Sequence, residues 1–218
     1  MEKVPTSSVH TLPPPENADV LCVDEKMQIE ALERTQPLLP MGLGYVEGVT
    51  HDYIRHDTNT LFAALDVVSG TVLAECKPRH RHQQFLSFLV QTDKEVPEEL
   101  ELHLIAENCC THKRARVKAW LAQQPLFHVH YIPTYASWLN QVECWFELIT
   151  QRAIWRGSFS SVKELISKIE QLVAAYDKTK APCQWTATAD SILAKLQRLC
   201  AQISGTARLG PSDSRSSL

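Results

Sequence analysis

The segment LHLIAENCCTHK, Leu102 to Lys113, is an apolar run that stops at a carboxylate, with Asn108, His112 and Lys113 just behind it. The run is strand-sized, and others like it recur along the chain. ADVLCVDE (18–25) also ends in acid, and FHVHYIP (127–133) stops at Pro133. Short runs without polar alternation belong to strands buried on both faces of a sheet. NTLFAALDVVSGTVLAEC (59–76) reads as two more strands joined at Ser69-Gly70, a hairpin signal. Helical patterns lie between and after these strands. One covers 81–92 through Phe85, Leu86, Phe88 and Leu89; a second starts near Thr111, a good N-cap, and runs through Val117, Trp120 and Leu121. Ser137 caps a helix to about Trp155, Ser160 or Ser161 caps one to about Tyr176, and a last helix falls near 187–203. This order predicts an α/β chain, a mixed sheet covered by helices that gather late.

The punctuation sets the boundaries. Residues 1–17 lack periodicity and read as a flexible lead; Pro37, Pro40, Gly42, Gly44 and Gly48 mark a turn-rich stretch; residues 204–218 form a Gly/Ser/Pro tail expected to be disordered. One ordered domain, 18–203, is the expectation for a chain of 218 residues. No apolar run reaches the roughly 18 residues a membrane span needs, and Met1 to Pro15 has no apolar signal-peptide core. The seven cysteines have no framework spacing, so reduced thiols in a cytoplasm are expected.

Net charge is −3, which excludes a uniformly basic DNA-coating protein. The charge is segregated, however. Base concentrates at 77–82 (KPRHRH), 111–118 (THKRARVK) and 151–156 (QRAIWR), and acid at 93–101. Such runs suit either solvated faces or a local groove for a polyanion.

Three carboxylates stand out by position. Asp24 ends the first apolar run and Glu107 the fourth. If those strands are parallel neighbours, their carboxyl ends lie together, at the edge where open α/β sheets bind ligands. In SWLNQVECWFELI, Leu139, Val142, Phe146 and Ile149 make a buried helix stripe, and Glu143 sits at its margin with Asn140 on the same side. Converging carboxylates repel unless a cation neutralises them. Hard oxygen donors favour Mg2+ or Mn2+, and paired ions about 3.5–4 Å apart are the usual apparatus for phosphoryl transfer on nucleic acids.

Several ordered blocks carry a resemblance: DEKMQIEALERTQP, THDYIRHDTNTLFAALDV, KPRHRHQQF, THKRARVKAWL, PTYASWLNQVECWF, RGSFSSVKEL and WTATADSIL. Over about residues 18–203 the chain resembles the DDE-type transposases of the mariner-related bacterial insertion sequences. The resemblance implies a ribonuclease-H-like catalytic domain, a mixed five-stranded sheet flanked by helices with additional C-terminal helices. It implies three metal-binding catalytic acids, Asp24, Glu107 and Glu143, holding two Mg2+ or Mn2+ ions, with Asn108 and Asn140 in support. It implies a metal-dependent endonuclease and strand transferase that cuts transposon ends and joins them to target DNA, usually at TA. The expected setting is a homodimer on double-stranded DNA in a prokaryotic cytoplasm, associated with the nucleoid. His112, Lys113, Arg79, Arg81, Arg114 and Arg156 are the candidates for lining the DNA track; for His112 and Lys113 the alternative is the solvent-facing first turn of a helix.

Two departures from the family pattern have consequences. The family's second acid is aspartate, and here it is Glu107, one methylene longer. A displacement of about 1 Å in a catalytic site can cost about a hundredfold in rate. Family members also carry N-terminal helix-turn-helix modules, so a chain beginning so close to the catalytic segment is expected to be truncated. An inactive remnant that keeps the fold and DNA surface, and a ribonuclease-H-like nuclease acting on RNA–DNA hybrids, are the alternatives. The histidine pairs 80/82 and 128/130 and the CCTH tetrad lack a CxxC or HExxH context, so structural zinc is not expected from them. Trp138, Trp145 and Trp155 are expected in packing roles.

Overall fold

The computed structural model describes residues 17–35, 52–97, 99–134, 137–155 and 157–179. Residues 1–16 of the expected lead, the turn-rich stretch, the helix near 187–203, the tail and Arg156 lie outside them, as does the Trp138 side chain.

Five strands build one sheet: β1 (Ala18–Arg34), β2 (Tyr53–Asp66), β3 (Val72–Lys77), β4 (Glu101–Ala106) and β5 (Phe127–Tyr131). Their spatial order is β3-β2-β1-β4-β5. β1, β2 and β3 form an antiparallel meander, whereas β4 and β5 join β1 in parallel. The sheet is therefore mixed, as expected, and β1 and β4 run the same way with Val23 beside Ala106. The β2–β3 turn closes on Gly70, whose φ of 72° suits a residue without Cβ. The Asp66 carboxylate accepts the N–H groups of Val68 and Ser69 in the same turn.

β1 is longer than its apolar run. Beyond Glu25 it continues for nine residues paired only with β2, interrupted by register shifts after Lys26 and Glu30. Gln28, at the first shift, has φ 54°, the left-handed conformation of a bulge. Antiparallel pairing runs the length of this half of the strand while only Ile29 and Ala31 of it are buried in the core, which is why its sequence does not resemble a buried one.

Strand alternation sends side chains to two cores. On one face Cys22, Leu61, Ala63, Leu65 and Ile105 meet α3 (Val142–Ile149) and α4 (Val162–Lys178) through Trp145, Phe146, Ile149, Leu165 and Ile169. On the other, Leu21, Val23, Phe62, Ala64, Leu102 and Leu104 meet Phe85, Phe88 and Leu89 of α1 (His82–Glu95) and Val117 of α2 (Ala115–Leu121).

Helix boundaries differ from expectation in two places. α2 starts at Ala115, not at Thr111, because Cys110–Lys113 form a turn that pushes His112 inward. The helix expected from Ser137 is divided into a 3-10 turn (Ser137–Leu139), α3, and a wider π turn (Thr150–Ile154). Trp145 is buried as expected, but Trp155, at the end of the π turn, is 68% exposed. α4 begins where its cap predicts. Ser161 Oγ accepts the Glu164 N–H at 3.3 Å, and the Glu164 carboxylate accepts the N–H and hydroxyl of Ser160, both at 2.8 Å. Losing one such cap costs about 1 kcal/mol, so Ser161→Ala is expected to lower the melting temperature by roughly 2–4 °C for a chain of this size, checked by calorimetry. No helix among the described residues is long and apolar enough to cross a membrane.

Candidate active site

The parallel pairing of β1 with β4 brings Asp24 and Glu107 side by side at the carboxyl end of the sheet, one residue beyond the Val23–Ala106 pair. α3 lies across that end of the sheet and delivers Glu143 from its first turn. One ligand oxygen from each of Asp24, Glu107 and Glu143 lies within 4.8 Å of the others, a set able to hold a metal ion.

Asp24 is only 3% exposed, although it is a carboxylate. Its Oδ1 accepts the Glu25 N–H at 2.8 Å, and Oδ2 accepts Asn140 Nδ2 at 3.3 Å. Asn140, 1% exposed, also donates to the Val23 carbonyl at 3.0 Å, so one amide ties the turn before α3 to β1. Its Oδ1 is buried without a hydrogen-bond partner. Burial, then the charges of Glu25, Glu107 and Glu143, push the Asp24 carboxyl up to about 8 against one lowering hydrogen bond from the Glu25 N–H. Burial and Glu107 also raise Glu143, while Asp24 and Lys26 draw it down. The protein thus concentrates negative charge at this point without supplying enough positive charge of its own. Three carboxylates with an orphaned amide oxygen beside them form an all-oxygen donor set, which suits a hard divalent cation.

The face of the sheet opposite Asp24 holds a group that the sequence reading missed. Glu25, adjacent in sequence, points under α1 with its side chain 5% exposed. Its carboxylate bridges two imidazoles, His80 Nε2 at 2.5 Å and His112 Nε2 at 2.9 Å. The other nitrogen of His112, Nδ1, lies 2.9 Å from the backbone carbonyl of Glu107. The Glu107 carbonyl can only accept and the Glu25 carboxylate accepts when ionised, an arrangement that favours the imidazolium form of His112. Burial lowers its pKa, but the Glu25 hydrogen bond and charge, with the Glu107 carbonyl, outweigh burial and raise it overall. Phe85 stacks on the ring with centroids 4.0 Å apart. The chain Glu25–His112–Glu107 carbonyl holds the peptide that carries the second acid. An alternation argument could have found Glu25, because a carboxylate one residue past a buried strand must have partners on the opposite face.

The same geometry corrects two assignments. His112 is 1% exposed with both nitrogens engaged, so it does not line a DNA track. Asn108 is exposed and contacts Thr134 Oγ1 and the Lys113 ammonium, not an acid of the triad. Lys113 lies 4.7 Å over the Tyr131 ring, partly open to solvent. Arg79, Arg81 and Arg114 are exposed, and among the described residues none is in an ion pair. The first two flank His80, which touches Glu25, and Arg114 follows His112 and Lys113. These cations therefore border the end of the sheet that carries the acids.

Residues 19–166 match the family model of the DDE superfamily endonucleases. The chain is 27% identical over 89 residues to the insertion element IS630 uncharacterized 39 kDa protein of Shigella sonnei, a match covering 41% of this chain and 26% of that protein. Its fold is similar to the Mos1 mariner paired end complex with Mn, at a TM-score of 0.56 and 13% identity, covering 75% of this chain and 49% of that one. It is also similar to the mariner Mos1 paired end complex with Mg, at 0.55 and 16%, covering 73% and 49%. The chain therefore spans about half the length of these solved relatives and a quarter of the insertion-element protein. The five-stranded mixed sheet is that of ribonuclease-H-like catalytic cores, and with more than half its length matched the chain belongs to the DDE superfamily endonucleases.

Proposed function

We propose that this chain is the catalytic domain of an insertion-sequence transposase that cleaves double-stranded DNA at element ends and transfers the strand to target DNA. The observation that carries this reading is the convergence of Asp24, Glu107 and Glu143, three ligand oxygens within 4.8 Å of one another, inside the residues that match the endonuclease family. The three acids are the residues that would hold two Mg2+ or Mn2+ ions; the similar Mos1 complexes carry Mg and Mn. When bound, such ions supply Lewis acidity at the scissile phosphate and lower the pKa of the attacking hydroxyl.

The chain's own residues do the rest. Asn140 fixes the Asp24 carboxylate against β1, and Glu25 with His112 fixes the Glu107 peptide. Lys113, Arg79, Arg81 and Arg114 offer cations to flanking phosphates, which position DNA without reading its sequence. A TA target, a homodimer and a cytoplasmic, nucleoid-associated setting belong to the same proposal.

Glu107 is the residue that sets the rate. A carboxylate carried on one extra methylene reaches the site but not the position an aspartate would give, and misplacement near 1 Å costs about a hundredfold. The test is Mn2+-dependent nicking of supercoiled plasmid and of a labelled TA-containing duplex. Weak nicking is expected from this chain, rising by up to about a hundredfold in Glu107→Asp and disappearing in Glu143→Gln. Equal activity of the parent and the Glu107→Asp variant would refute the weakened-enzyme reading. Preference for an RNA–DNA hybrid over duplex DNA would replace transposition with ribonuclease-H-like hydrolysis.

A further inference from the structure

Back along β4 from the acids, by about 13–20 Å at roughly 3.3 Å per residue, the sheet gathers a second set of ligand-type side chains. Glu101 and His103 project from β4, and His128 and His130 from β5. His103 and His128 are cross-strand partners in the parallel register. Glu101 and His103 alternate with Leu102 and Leu104, which are buried on the α1/α2 side, so the cluster lies on the other face. Glu101 Oε2 lies 3.8 Å from His103 Nε2 and 3.7 Å from His128 Nε2. The one-atom-per-residue donor set of Glu101, His103 and His128 fits within 4.8 Å. These separations are too long for hydrogen bonds. They are close to the edge of about 3.4 Å between ligands of a tetrahedral zinc with bonds near 2.0–2.1 Å.

The imidazoles are held for such a role. His103 stacks on His128 with centroids 4.9 Å apart and on His130 at 5.2 Å. His103 Nδ1 lies 2.9 Å from His130 Nε2. A proton on His103 Nδ1 donates to His130 and leaves Nε2 as a free lone pair facing Glu101 and His128. That Nε2 is buried from solvent and has no hydrogen-bond partner. Fixing the far nitrogen of a ligand histidine by a hydrogen bond is the usual support for a metal-bound ring.

We infer that Glu101, His103 and His128 form a binding site for a divalent transition cation of the zinc class, oriented by His130 and separate from the acidic triad. Imidazole nitrogens select such a cation over Mg2+. With three protein ligands, the fourth position is open to water, and the bound cation ties the five-residue edge strand β5 to β4.

The test is titration of the full-length chain with Co2+, followed by its visible absorption, with Zn2+ competition and Zn2+-dependent thermal shift. One Co2+ with a nitrogen/oxygen spectrum, displaced by Zn2+, is expected in addition to any Co2+ held by the acidic triad. The spectrum should persist when Asp24, Glu107 and Glu143 are replaced together by Asn, Gln and Gln. It should vanish in His128→Ala and in Glu101→Gln, and affinity should fall about tenfold or more in His130→Ala. Circular dichroism separates loss of the site from loss of the fold, and the part-exposed Glu101 and His128 are the substitutions the fold best withstands. Absence of the Co2+ band would overturn the site, as would a thiolate charge-transfer spectrum or full binding in both His128→Ala and Glu101→Gln.

Discussion

Asp24→Asn is expected to abolish cation-dependent nicking and, in chelator, to make the protein more stable at alkaline pH. The two outcomes have one cause. Burial and the charges of Glu25, Glu107 and Glu143 hold the Asp24 carboxyl at about 8 when folded, against an ordinary 3.8. A raised acid pKa means that the folded state binds the proton that the unfolded state has released. Stability therefore falls as pH rises from the unfolded value through the folded one. Each unit of that window costs up to about 1.4 kcal/mol, several kcal/mol once pH exceeds about 8. Asparagine has nearly the same shape and no charge. Its oxygen can keep the Glu25 N–H, and its amide can donate toward Glu143, at the expense of the 3.3 Å bond from Asn140. The stability gap between variant and parent should widen from about pH 4 to about pH 8 and then level, read as melting temperatures in chelator. Added Mn2+ should raise the melting temperature of the parent more than that of the variant, because only the parent keeps the intact triad in the native state. A variant less stable than the parent at every pH, or one that still nicks DNA, would remove Asp24 from the site.

Much of this was legible in the sequence, for identifiable reasons. Buried strands on both faces of a sheet need uninterrupted apolar residues, so 18–23, 61–65 and 102–106 announced themselves, and parallel pairing then put Asp24 beside Glu107. The i, i+3 spacing of Asn140 and Glu143 put both on the sheet-facing margin of the α3 region, where Asn140 meets Asp24. The distal half of β1 was illegible because it is held mainly by pairing with β2 and puts only Ile29 and Ala31 into the core. The start of α2 was illegible because Thr111 has the chemistry of a cap but His112 has a partner 87 residues away. Likewise, the cluster at Glu101, His103 and His128 depends on the β4–β5 register, which no local pattern specifies. Long-range polar pairs are what the sequence withheld, and here they support the candidate site.

Glu25→Ala should then be the most destabilising single change on the α1/α2 side of the site. The Glu25 carboxylate, 5% exposed, is the partner of His112, 1% exposed, and of His80. Removing one member of a buried pair strands the other charge, at about 3–5 kcal/mol, a large share of the roughly 5–15 kcal/mol that holds a typical domain together. Glu25→Gln keeps a hydrogen bond but not the charge and should fall between parent and Ala. The pH dependence identifies the mechanism. His112 has a folded pKa above its ordinary 6.5, so its pairing stabilises the protein fully below the unfolded value and loses that effect as pH rises through the folded one. Removing Glu25 also relieves Asp24 of a neighbouring charge, which matters most when Asp24 is ionised. Both effects have the same sign, so the cost of Glu25→Ala should be greatest near pH 6 and shrink toward pH 9, in urea denaturation at the two values. Mn2+ affinity at the triad should fall as well, because His112 then has no acceptor opposite the Glu107 carbonyl it steadies. A pH-independent cost would show that Glu25 contributes packing alone and that the Glu25–His112 link does not carry charge.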